Sequence, residues 1–228
     1  MNVVLKLGGH LIPLTLDADV IARYAEKIRE LSRENRVVVV VGGGENARRY
    51  IDAARALGAD EGVCDIIGIE ITRLNARLLI SKLGRDAYPV PPTSIDGLRR
   101  AFAESRIVVM GGLQPGQSTN AVAALAAEAI GADVLVIGTD VDGVYTEDPR
   151  LDPTAEMIGE ITPAELLGMI VEKGYRAGEY MLFDVVALEV IKRSAIKTYV
   201  VNGGNLENID RALRGERVGT LVRPVGRA

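Results

Sequence analysis

Five consecutive valines, Val37 to Val41, run straight into three glycines, Gly42-Gly43-Gly44. A strand with one wet face alternates apolar and polar residues. An unbroken β-branched run instead reads as a strand buried on both faces, in the middle of a parallel sheet covered by helices. Glycine at once after such a strand marks a turn at its carboxyl end, where open α/β sheets hold their ligands. The rest of the chain repeats this unit. Residues 3–7 read as a strand followed by Gly8-Gly9, residues 107–110 as one ending in Gly111-Gly112, and residues 134–137 as one followed by Gly138. Helical spacing covers 17–35, with Val20, Ile21, Tyr24, Ile28 and Leu31 on one face and Asp17 as N-cap. It recurs over 45–57, 68–83, 94–104 and an alanine-rich 118–130. Residues 88–90 read as extended and 138–148 as a loop. Past Pro153 come helices at 162–171, 184–194 and 206–213, a strand at 198–201 and a last one at 219–222.

Alternation over the whole length predicts an α/β fold, a three-layer sandwich around a mainly parallel twisted sheet. The 228 residues suit one domain with two lobes sharing the sheet, the seam falling near 149–153. With no Trp, the core must be aliphatic. A net charge of −4 and a pI near 5.3 argue against nucleic acid as the main partner and favour small molecules. The single cysteine, Cys64, cannot form an internal disulfide, which suits a reducing cytoplasm. Residues 1–14 lack a signal-peptide layout. No apolar run approaches the ~20 residues that span a bilayer, so no membrane partner is expected.

Four strand-end loops are glycine-rich: 8–9, 42–44, 111–112 with Gly116, and 138 with Gly143. Glycine lets backbone N–H groups come close to a phosphate, and the helix that follows adds its dipole. Any one of them could be only a tight turn; four on one edge point to a polyphosphate ligand. Lys6 lies inside an apolar strand just before Gly8-Gly9, suited to neutralise a phosphoryl group in transfer, or else a sheet-edge lysine reaching solvent. Neither the GxxxxGK[ST] nor the GxGxxG pattern occurs, so the phosphate site is of another kind.

Taken together these segments resemble the amino acid kinase superfamily and, within it, the archaeal-type uridylate kinases. The resemblance rests on Leu5-Lys6-Leu7-Gly8-Gly9, on Val40 through Tyr50 with its GGG-x-x-A-R pattern, and on Asp65-Ile66-Ile67-Gly68-Ile69 with Thr72-Arg73-Leu74-Asn75-Ala76. It continues through Gly111 to Thr119, the run Thr139 to Pro149, and Ala177-Gly178 through Asp184, in family order along about the whole chain.

The resemblance implies the amino acid kinase-like fold and transfer of the γ-phosphoryl of ATP to UMP, giving UDP and ADP in pyrimidine nucleotide biosynthesis. Lys6 and Asp184 would be catalytic, Lys6 bridging the transferring phosphoryl and Asp184 orienting Lys6 or the metal. ATP would meet Lys6, Gly8, Gly9, His10, Gly44, Arg48, Thr139, Tyr145 and Asp148. UMP would meet Gly43, Asp65, Leu113, Gln114, Pro115, Gly116, Gln117, Ser118 and Thr119. Mg²⁺ would arrive on ATP with no direct protein ligand, and a hexamer built from dimers is implied, helix 68–83 offering a contact face. Some of these residues have plainer readings: Asp65 and Asp184 as helix N-caps, Tyr145 as core packing, Thr119 as a first-turn residue, and Asp142-Gly143 as a turn. Three positions depart from the family pattern: His10 where Ser is common, Asp140 where Asn is common, and Val185 where Pro is usual. Another acceptor (an amino acid carboxylate, carbamate or isopentenyl phosphate) or a non-catalytic nucleotide- or oxyanion-binding relative are the alternatives.

Overall fold

The computed structural model describes residues 1–9, 14–173 and 183–224. In chain order the strands are β1 (Asn2–Leu7), β2 (Arg36–Val41), β3 (Ile107–Met110), β4 (Val134–Thr139) and β5 (Val144–Tyr145), followed by β6 (Met157–Ile158), β7 (Glu160–Ile161), β8 (Thr198–Asn202) and β9 (Thr220–Val222). The helices are α1 (Ala18–Leu31), α2 (Gly44–Ala56), α3 (Glu61–Leu83), α4 (Ile95–Glu104), α5 (Thr119–Ile130), α6 (Pro163–Lys173), α7 (Val185–Ser194) and α8 (Glu207–Leu213).

Seven strands form one sheet in the order β3-β2-β1-β4-β8-β9-β7, and β5 pairs with β6 outside it. The five strands from β3 to β8 run parallel; β9 is antiparallel to β8 and parallel to β7. The mainly parallel sandwich expected from the sequence is therefore the observed fold. Residues 149–153 lie in turns, and the strands before and after them belong to the same sheet.

The valine run behaves as its composition demands. Val37, Val39 and Val41 pack into the core beneath α1, α3 and α8, while Val38 and Val40 pack into the opposite core under α4, α5 and α7. All five are fully buried, and sealing a valine from water is worth about 1.5 kcal/mol or more each. The order of strand addition reverses at β1, which has β2 on one side and β4 on the other. This is the switch point where an α/β sheet opens a crevice at its carboxyl edge. Asp17 caps α1 as expected, accepting from the N–H groups of Asp19 (2.9 Å) and Val20 (3.4 Å).

Two expectations need correction. The helix read over 68–83 starts seven residues earlier, at Glu61, and its N-cap is Asp60, which accepts from Val63 N–H at 2.9 Å. Asp65 is thus an interior helix residue, and its reading as a cap falls. The loop read over 138–148 begins inside β4, which runs to Thr139, and contains β5, a two-residue strand paired with β6.

Candidate active site

The first two glycine loops interlock. A methyl group on Gly9 would lie 1.9 Å from Gly44 N, and one on Gly44 would lie 2.2 Å from Gly9 O. Gly44 also has φ +66°, a conformation that disfavours any side chain. The ends of β1 and β2 therefore meet backbone to backbone, a contact no other residue type permits. Gly8 N–H donates to Gly138 O at 3.0 Å and Gly42 N–H to Leu7 O at 2.9 Å, tying three strand ends together.

Lys6 stands in β1 opposite Val40 and Ile137, two residues beyond Val4 and so on the same face, the one covered by α5 and α7. Burial lowers its pKa from 10.5 to about 8, and the negative charge of Asp140 opposes that fall. A lysine so desolvated gains strongly from an anionic ligand. Asp140, marked in the sequence only as a departure, is thus the acidic neighbour of Lys6 among the described residues.

On the β2–β3 side a cleft of about 180 Å³ is lined by Gly43, Gly44, Ala47, Ile51, Asp65, Gly68, Ile69, Thr72, Gly112, Gln114, Gln117 and Thr119. Five of the expected UMP residues, Gly43, Asp65, Gln114, Gln117 and Thr119, share it. Leu113, Pro115, Gly116 and Ser118 are their chain neighbours in the same loop. Asp65 Oδ2 accepts from Gly116 N–H at 2.8 Å, so one carboxylate oxygen holds the loop. The amino ends of α2 and α5 both open here, presenting the positive ends of two helix dipoles. Arg48 is exposed on the first turns of α2.

Asp184 caps α7, accepting from Ala187 N–H at 2.7 Å. Its other oxygen accepts a very short hydrogen bond from Ser118 Oγ, itself the cap of α5. The capping reading of Asp184 is correct, and the same carboxylate joins the starts of two helices on the face shared by Lys6.

On the β4 side, Thr139 is buried at the strand end, its hydroxyl 3.2 Å from Asp140 Oδ1. Tyr145 is half-buried in β5 opposite Met157. Asp148 is gripped by Arg150 through Nε and Nη2, both at 3.0 Å, and Arg150 also lies 3.5 Å from Asp140. Those hydrogen bonds hold the Asp148 carboxyl below its usual range. Thr139, Tyr145 and Asp148 lie outside the cleft beside β2 and β3, and His10 lies outside the described residues.

Sequence reading assigned no role to Thr72, Arg73, Asn75 or Arg150. Thr72 and Asn75 carried a legible signal: two polar residues on the stripe that also holds Ile69, Ala76 and Leu79. Arg150 carried none.

Residues 1–202 match the Amino acid kinase family. The chain is 49% identical over 221 residues to the uridylate kinase of Hyperthermus butylicus, covering 96% of this chain and 97% of that one. It is 46% identical over 220 residues to the uridylate kinase of Methanococcoides burtonii, covering 96% and 94%. Among solved structures, the uridylate kinase of Archaeoglobus fulgidus superposes with a TM-score of 0.88 at 44% identity, covering 97% of this chain and all of that one.

Proposed function

The chain belongs to the amino acid kinase family, and we propose that it is a uridylate kinase, transferring the γ-phosphoryl group of ATP to UMP to give UDP and ADP. The observation that carries this reading is a cleft lined by a carboxylate and two helix amino ends, sharing a wall with the loop that follows Lys6. One wall supplies a carboxylate, Asp65, and the other supplies backbone N–H groups at the starts of α2 and α5.

Asp65 keeps one oxygen on Gly116 and offers the other to the ribose hydroxyls of UMP. Gly43 and residues 113–119 surround the rest of the acceptor. ATP lies across the ends of β1 and β4, its phosphates among Gly8, Gly9, His10, Gly44 and Arg48. Its adenosine rests at Thr139, Tyr145 and Asp148, the ring of Tyr145 giving an apolar face. Lys6 lies between the two nucleotides. Its half-desolvated ammonium compensates the charge that builds on the transferring phosphoryl, the main demand of this chemistry. Asp184 orients Lys6 or the metal-bound phosphate, a role supported by its fixed position at the joint of α5 and α7. The acceptor is already a phosphate dianion, so no general base is required.

Among the described residues no three His, Cys, Asp or Glu side chains cluster as a metal cage. A Mg²⁺ that arrives on ATP is held chiefly by phosphates and water, and Asp140 and Asp184 are the single carboxylates that would meet it on the Lys6 side. Bound there, Mg²⁺ would neutralise phosphate charge. The chain acts as one cytoplasmic domain of two lobes that share the sheet, with the seam near 149–153. It assembles as a hexamer built from dimers, a reading supported by the exposed Val63, Ile66, Leu74 and Leu78 along α3.

Turnover with ATP against UMP, CMP, AMP, isopentenyl phosphate, carbamate and amino acids tests the reading. UMP should be the preferred acceptor. Preference for another acceptor would reassign the substrate, and ATP binding without turnover would leave a nucleotide-binding protein.

A further inference from the structure

Glycine loops have no side chains with which to fix themselves. A loop that must aim its N–H groups at a ligand therefore needs its carbonyls held from outside. The inner face of α3 supplies that hold. Asn75, only 3% exposed, donates through Nδ2 to the carbonyls of Gly42 (2.9 Å) and Gly43 (3.4 Å). Arg73 donates through Nε to Gly112 O and through Nη2 to Leu113 O, both at 3.2 Å. Thr72, 5% exposed, accepts from Gly112 N–H at 2.6 Å and donates to Ile69 O at 2.6 Å.

In a trans peptide the C=O and the next residue's N–H point in opposite directions. Holding the carbonyls of residues 42, 43, 112 and 113 against α3 turns the N–H groups of Gly43, Gly44, Leu113 and Gln114 away from it. None of those four N–H groups donates to another described residue. Gly43, Gly44 and Gln114 line the cleft. A methyl group on Gly111 would fall 2.4 Å from Thr72 Oγ1, so the loop lies flush on the helix at the joint.

We propose that Thr72, Arg73 and Asn75 are positioning residues that set the direction of the acceptor-site N–H groups, Thr72 and Arg73 for the loop after β3 and Asn75 for the loop after β2. This rests on the reading of the cleft as the UMP site. None of the three needs to touch substrate. Thr72 Oγ1 and Asn75 Nδ2, carried inside, both find backbone partners, which offsets the cost of burying them. Their substitution should therefore loosen the loops before it loosens the core.

The test compares Thr72→Val, Thr72→Ser, Arg73→Ala and Asn75→Ala with the parent. Thr72→Val and Arg73→Ala should raise KM for UMP about 10-fold, the change expected for one net hydrogen bond, and leave KM for ATP unchanged. Thr72→Ser, which keeps the hydroxyl, should restore parent values. Asn75→Ala should raise KM for UMP, because Gly43 and Gly44 both line the cleft, and KM for ATP as well, because the proposed ATP phosphates also meet Gly44. Should Asn75→Ala fail to fold, Thr72→Val and Arg73→Ala carry the comparison. Deuterium exchange over residues 111–117 in the ligand-free protein should quicken in Thr72→Val and Arg73→Ala. Parent-like KM values in folded Thr72→Val and Arg73→Ala overturn the proposal, as does a parallel rise for both substrates or failure of Thr72→Ser to rescue. If the parent itself ignores UMP, the substrate reading fails, and the exchange measurement alone judges the positioning: unchanged rates over 111–117 reject it.

Discussion

Loops 42–44 and 111–117, on the α3 side of the carboxyl edge, are held through their backbone: by buried Thr72 and Asn75, and at 111–117 also by the Arg73 guanidinium and the Asp65 carboxylate. Glycine backbone packs on glycine backbone, and the carbonyls are gripped from α3. Loop 140–150, on the β4 side, is pinned at its base by Thr220, whose hydroxyl accepts from Val144 N–H at 2.8 Å. Its outer part is held by charge instead: Asn202 donates to Asp142 at 3.0 Å, and Arg150 grips Asp148 at 3.0 Å with Asp140 at 3.5 Å. Side chains that grip backbone groups fix a shape in advance and respond little to salt, whereas exposed ion pairs are weak and screened. On the proposed assignment of the two sides, the acceptor side selects a substrate by shape and the ATP side adjusts to a polyanion.

The largest effect should come where the two halves meet. Lys6→Ala should keep the fold and lower kcat by about 10³-fold or more, since it deletes charge stabilisation that matters most in the transition state. Near-parent turnover with an unchanged circular dichroism spectrum would remove Lys6 from the chemistry.

Asp65→Asn separates the halves. It should raise KM for UMP about 10-fold with KM for ATP unchanged, because the ribose loses a charged acceptor. Equal effects on both substrates would break the division. The plainer view of Asp65 as a helix cap no longer competes, since Asp60 holds that position.

How much of this was visible beforehand depends on how local the cause is. The valine run, the glycine turns and the caps Asp17 and Asp184 are local, and each stands where the sequence put it. The early start of α3 was missed because Gly62 and the uninterrupted apolar run around Ile66 and Ile67 blur the helical period. Strands β5, β6 and β7 have two residues each and exist only through their partners. The site's glycines and carboxylates were legible as types, but Arg150's grip on Asp148 and the clamps from α3 depend on which elements meet, which no spacing reveals.

The pH profile probes the joint more finely. With the Lys6 pKa near 8 in the free enzyme, kcat/KM should fall as pH rises through about 8, as the ammonium is lost. Asp140→Asn removes the charge that opposes this depression, so the midpoint should move to lower pH. Folding has the opposite sign: between about 8 and 10.5 the native state binds fewer protons than the unfolded state, so this group adds stability as pH rises. A midpoint unmoved by Asp140→Asn would separate Asp140 from Lys6.

The smallest effect belongs to the ion pairs. Arg150→Ala should raise KM for ATP only about 2–4-fold, as exposed pairs contribute little, and the difference should shrink at about 0.5 M KCl. KM for UMP should not respond. A salt-independent loss would place the ATP side in the same class as the acceptor side.

The most direct test of the division is a crystal structure of the protein with UMP bound. The account places the nucleotide in the cleft lined by α2, α3 and loop 111–119, its ribose on Asp65 and its phosphate toward Gly43 and the start of α5. UMP found instead beneath loop 139–148, against Tyr145 and Asp148, would contradict it.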